Sequence, residues 1–126
     1  MTDVRPHREP GPDHPITVEP AATHVTVRAG SMVVAETDRA LEMCEASYPP
    51  VYYVPVDDVR PGVLRPNDEH TYCPYKGEAS YYDLVPDGGA ELTGAVWYYP
   101  EPYPAVAPIA GHVAFYPDRV TLTVGS

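Results

Sequence analysis

Apolar and polar positions along this chain alternate mostly with a period of two, in short runs closed by proline or glycine. His24-Val25-Thr26-Val27-Arg28 puts Val25 and Val27 on one buried face. Ala29-Gly30-Ser31 then turns the chain into Met32-Val33-Val34-Ala35, the second arm of a hairpin. Val51-Tyr52-Tyr53-Val54 is a compact strand between prolines. Ala79 to Val85 and Glu91 to Tyr99 form the clearest hairpin, turning at Pro86-Asp87-Gly88-Gly89. On its second arm Ala95, Trp97 and Tyr99 share one face, Val96 and Tyr98 the other, and bulk on both faces predicts a central strand. His112 to Tyr116 and Val120 to Val124, joined by Pro117-Asp118-Arg119, predict a last hairpin.

Two stretches depart from this period. Thr37 to Ala46 is the best helical segment, with Thr37 or Asp38 as cap and Ala40, Leu41, Met43 and Cys44 as an apolar stripe, although a strand also fits. Cys44 then reads as a small core residue. Ala105 to Ala110 reads as a helical turn or a packed loop. The expected fold is all-β: a small open, barrel-like domain of about eight short strands with at most one or two helical turns.

Composition sharpens this picture. Seventeen prolines rule out long helices and interrupt ladders. At 126 residues the chain suits one domain, placed at 16–126, behind a proline-rich tail at 1–15 expected to be disordered or loosely draped. His7 and His14 in that tail read as solvated side chains. Eighteen acidic residues against eight basic ones give a net charge of -10, which argues against nucleic acid or an anionic membrane as partner. No leader-like apolar segment opens the chain, and Cys44 and Cys73 are too few for a disulfide framework or a zinc site. The expectation is a cytoplasmic protein with reduced thiols, no metal and no cofactor. Pairing into a homodimer through a strand edge is open.

The candidate chemistry gathers in His70-Thr71-Tyr72-Cys73-Pro74-Tyr75-Lys76-Gly77-Glu78-Ala79-Ser80-Tyr81-Tyr82, which holds the single lysine of the chain. Pro74 cannot donate to a ladder, so the strand lies at an edge or is bulged beside Pro74. A bulge there would turn Cys73 and Lys76 to one face. Cys73 is a thiol nucleophile if Lys76 lowers its pKa, and otherwise a small buried residue. Lys76 suits an anionic ligand or amine chemistry, with a structural pair to Asp58, Glu78 or Glu101 as the alternative. Asp57 and Asp58 are possible general bases or turn caps. Tyr53, Tyr72, Tyr81, Trp97 and Tyr99 fit either a ligand-lining wall or core.

Tyr53-x-Pro55-x-x-Asp58-Val59, the Cys73-Pro74-Tyr75-Lys76-Gly77 run, Trp97-x-Tyr99-Pro100 and Val113-Ala114-Phe115-Tyr116 resemble the domain-of-unknown-function 427 family, from about Ile16 to Val124. The resemblance implies a β-tent like that of Mss4-like domains. It carries over neither zinc binding, since no C-x-x-C is present, nor an activity. Three functions follow from the residues. The first is binding of a small polar or anionic ligand by Lys76 with Tyr53, Tyr81, Trp97 and Tyr99 around it. The second is a thiol-dependent enzyme using Cys73, Lys76 and Asp58. The third is a protein-interaction module presenting the stiff Pro100–Pro104 segment.

Overall fold

The computed structural model describes residues 6–87 and 89–125. The tail expectation for residues 1–5 and the turn glycine Gly88 lie outside the described residues. Ten strands run in chain order: β1 (Ile16–Pro20), β2 (Val25–Ala29), β3 (Met32–Thr37), β4 (Leu41–Glu45), β5 (Val51–Pro55), β6 (Leu64–Cys73), β7 (Gly77–Leu84), β8 (Leu92–Tyr98), β9 (His112–Phe115) and β10 (Thr121–Val124). Two 3-10 turns, Val56–Asp58 and Pro104–Ile109, are the only helical pieces among the described residues. The fold is therefore all-β.

The strands form two antiparallel sheets. The large one has the order β1-β4-β5-β9-β8-β7-β6 and the small one β10-β2-β3. Val25, Val27 and Val34 of the small sheet pack with Val54, Leu84, Val96 and Val113 of the large one. Each such fully buried aliphatic side chain contributes roughly 1.5–3 kcal/mol. Alternation along the central strands sends their other side chains to a second cluster: Met43, Tyr53, Ala79 and Tyr99, with Val106 and Ile109 of the second 3-10 turn. Trp97 and Tyr81 pack against it. The large sheet is thus covered on both faces, and the second face carries the aromatic residues. Ala95 breaks the expected parity with Trp97 and lies in the inter-sheet cluster, just after positive-φ Gly94.

Two expected elements are corrected. Residues 41–45 are a strand, not a helix. Leu41 and Met43 pair with Tyr53 and Val51 on one side and with Pro20 and Val18 on the other. Two flanking ladders outweigh a local helical preference of a few tenths of a kcal/mol per residue. Cys44, on the opposite side of this strand from Met43, is exposed rather than core. The last two strands are also no hairpin. β9 is already paired on both sides, with β5 and β8, so the chain crosses to the small sheet and β10 pairs with β2.

Residues 6–15 lie along the β6–β7 connection. The Arg8 N–H donates to the Pro74 carbonyl (3.0 Å), His7 stacks on Tyr103 (4.0 Å) and the Tyr72 hydroxyl donates to the Pro6 carbonyl (2.6 Å). Tyr103 in turn anchors the 100–104 segment, its N–H donating to the Lys76 carbonyl (3.0 Å). Gly77 makes that approach possible. Its φ is +110°, and a Cβ there would stand 3.3 Å from the Glu101 carbonyl oxygen. Gly77→Ala is expected to lower stability by about 1–3 kcal/mol, read as the urea midpoint. An unmoved midpoint would show that this contact is not constrained.

Candidate functional site

The strand pairing of β6 stops at Cys73, which lies opposite Gly77. Pro74, Tyr75 and Lys76 form a three-residue turn closed by the Lys76 N–H on the Cys73 carbonyl (3.2 Å). A proline heading a turn needs no ladder donor. β6 is a sheet edge as expected, but its irregularity falls between Asn67 and His70 instead of beside Pro74.

The turn aims Lys76 at the end of β4, where its ammonium pairs with Glu45 Oε1. Both side chains are largely out of water, with 13% and 17% of their surface exposed. The other Glu45 oxygen takes His14 Nε2 at 2.8 Å, and the His14 ring stacks on Tyr75 at 4.1 Å. Burial alone would raise the Glu45 carboxyl, but the hydrogen bonds from Lys76 and His14 outweigh it and hold the group below its ordinary range.

Beside this pair the second face of the large sheet opens into a hollow of about 220 Å³. Its floor follows from register. Tyr81 stands opposite Trp97, and Trp97 stands opposite Ala114. The small Ala114 side chain on β9 leaves room for Trp97 on β8 to reach Tyr53 on β5. The indole N–H donates to the Tyr53 hydroxyl (3.3 Å), with the rings edge to face at 6.4 Å. Tyr99, Tyr116 and the exposed Tyr48 complete the wall around Lys76 and Glu45. Burial raises the Tyr53 and Tyr99 phenols well above their usual value. Burial, and then a hydrogen bond with Tyr81, pushes Tyr116 up to about 12. These hydroxyls are neutral near pH 7 and act as hydrogen-bonding groups, not as bases.

Of the residues singled out in the sequence, Tyr53, Lys76, Tyr81, Trp97 and Tyr99 line this hollow together. Cys73 does not line it and packs, half-buried, against the second core cluster. Asp58 is elsewhere, in the 3-10 turn after β5, where it accepts from Thr37 Oγ1 (2.6 Å) and Arg39 Nη2 (3.0 Å). The Thr37 hydrogen bond leads in holding its carboxyl below the usual range, which is the opposite of what a base near neutral pH needs. Tyr72 also lies outside the hollow, its hydroxyl bonded to that of Tyr103 (2.6 Å). Lys76 pairs with none of Asp58, Glu78 or Glu101 in the described contacts.

Glu45, His14, Tyr48 and Tyr116 are the residues the sequence reading missed. For Glu45 the signal was present: period two through Leu41, Met43 and Glu45 places the carboxylate on the Met43 face of a strand. Nothing local marks His14. Among the described residues no group of three or more His, Cys, Asp and Glu is placed to hold a metal ion, and no helix is long and apolar enough to cross a membrane.

Fold and site together define a small all-β protein with a ring-walled hollow closed at one end by an ion pair. The chain belongs to the family described as Domain of unknown function (DUF427), which it matches over residues 17–125. No curated protein matches it.

Glu45 gives a pH-dependent handle. Its folded-state pKa is depressed below 4.5, so its contribution is complete above about pH 4.5 and fades as pH falls through the folded value. Glu45→Gln leaves the Lys76 charge without its carboxylate and is expected to cost about 1–3 kcal/mol at pH 7. That gap to the wild type should narrow on acidification toward pH 3. Urea midpoints across pH 3–7 measure it; a gap constant with pH would contradict the assignment.

Proposed function

We propose that this protein binds a small polar ligand in the hollow, with Lys76 and Glu45 fixing its polar end and the rings enclosing its body. The observation carrying this reading is the convergence of one largely shielded lysine, one largely shielded carboxylate and six aromatic side chains, Tyr48, Tyr53, Tyr81, Trp97, Tyr99 and Tyr116, on one concavity. Sites of this kind combine mostly apolar walls with a few placed polar groups. At about 220 Å³ the hollow falls below the roughly 300–1,000 Å³ of drug-sized sites, so the ligand is of the size of one ring or one amino acid.

The other two readings draw less support. A thiol-dependent enzyme needs the Cys73 sulfur on the same surface as Lys76, and the hollow is lined without it. A docking surface at Pro100–Pro104 needs Tyr103 uncovered, whereas His7 stacks on it and Tyr72 meets it edge to face. For a homodimer the long edge is β6, and Pro66, Asp68 and Glu69 with the adjacent bulge work against edge-to-edge pairing.

Trp97 is the single tryptophan and lines the hollow, so its fluorescence reports occupancy. A screen of small metabolites should yield a compound that shifts that emission and raises thermal stability, by about 2.7 kcal/mol at 100 times its dissociation constant. Lys76→Met should weaken the response at least tenfold, and Cys73→Ser should leave it intact. Loss of the response in Cys73→Ser with retention in Lys76→Met would reverse the assignment in favour of the thiol.

A further inference from the structure

We infer that the ligand class of this hollow is a small zwitterion, an amino acid or its N-methylated form, held with its carboxylate on Lys76 and its ammonium against Glu45 and the rings. The inference rests on the ligand-binding reading above and narrows it.

It comes from the charges already in the wall. Lys76 and Glu45 neutralise each other where both are largely shielded from water. A buried charge that loses its partner is costly. An anion drawn to Lys76 would set a second carboxylate beside Glu45. It would also approach a chain whose net charge is -10. A plain cation drawn to Glu45 would meet the Lys76 ammonium in the same small space. A zwitterion avoids both conflicts. Where the Lys76 and Glu45 groups part to admit it, it gives each a partner of opposite sign, and the hollow stays neutral before and after binding. His14 Nε2 bonds the second Glu45 oxygen at 2.8 Å, so Oε1, the oxygen now paired with Lys76, is the one that would receive the ammonium.

The walls suit the cationic end. Trp97 meets Tyr53 edge to face and carries the Tyr116 ring at 4.5 Å, and both Trp97 and Tyr116 line the hollow with Tyr99. Aromatic faces within about 6 Å attract an ammonium, tryptophan most strongly, and enclosed ring cages of this kind recognise methylated ammonium groups. The phenols keep their protons near neutral pH, so they add hydrogen bonds without adding charge. A hollow of about 220 Å³ has room for an amino-acid-sized molecule.

The test compares one zwitterion with its two halves on the full chain: glycine betaine, acetate and tetramethylammonium, each titrated against Trp97 emission and thermal shift at fixed ionic strength. Glycine betaine should bind at least tenfold more tightly than either half. In Lys76→Met its advantage over tetramethylammonium should fall to within about twofold. Acetate, or tetramethylammonium, binding as tightly as glycine betaine overturns the zwitterion class and leaves the ligand hollow standing. No response to any of the three also overturns it, and the broader reading falls only if the metabolite screen is empty as well. Should Lys76→Met not fold, the comparison of the three probes on the wild-type chain decides alone.

Discussion

The site depends on one ion pair, Lys76 with Glu45, formed between a hairpin turn and the end of a strand far away in sequence. Everything that shapes the hollow bears on where those two groups stand. The Pro74–Lys76 turn delivers the ammonium, and Gly77 lets the 100–104 segment close behind that turn with its carbonyl 3.3 Å from where a side chain would begin. β4 delivers the carboxylate only because β1 and β5 both pair with it. With two largely shielded charges facing each other, neither can be removed cheaply.

The aromatic wall follows from a two-faced sheet. Tyr53 and Val54 are neighbours in sequence and belong to different cores, as do Val96 and Trp97. The aliphatic face is fully covered by the small sheet. The tyrosine-rich face is covered only in part, by the second 3-10 turn and the chain's own early residues, and the uncovered part is the hollow. Ala114 is decisive within it. A larger side chain at that register position would fill the space across which the indole reaches Tyr53.

How far the sequence foretold this varies by physical cause. Period-two alternation made the all-β class, the β2–β3 and β7–β8 hairpins and the central place of β8 readable, because those signals are local. The strand at 41–45 was obscured by a helix-like stripe that two neighbouring ladders override. The β10 partner was unreadable, since it depends on β9 having both edges occupied. Five wall residues, Tyr53, Lys76, Tyr81, Trp97 and Tyr99, were legible as a lone lysine among strand aromatics. Asp58 was misplaced with them because its role is set by Thr37 and Arg39, contacts that no spacing rule encodes. His14 was read as a solvated tail residue, and its contact with Glu45 arises from a segment that crosses the turn without strand pairing.

A double-mutant cycle on Lys76→Met and Glu45→Gln, measured by urea unfolding at pH 7, addresses the central claim most directly. A shielded pair predicts a coupling energy above about 1 kcal/mol, within the range of 0.5–3 kcal/mol found for residues in contact. Additivity within about 0.3–0.5 kcal/mol, the behaviour of independent sites, would mean that the two charges do not sense each other and that the hollow has no fixed polar end.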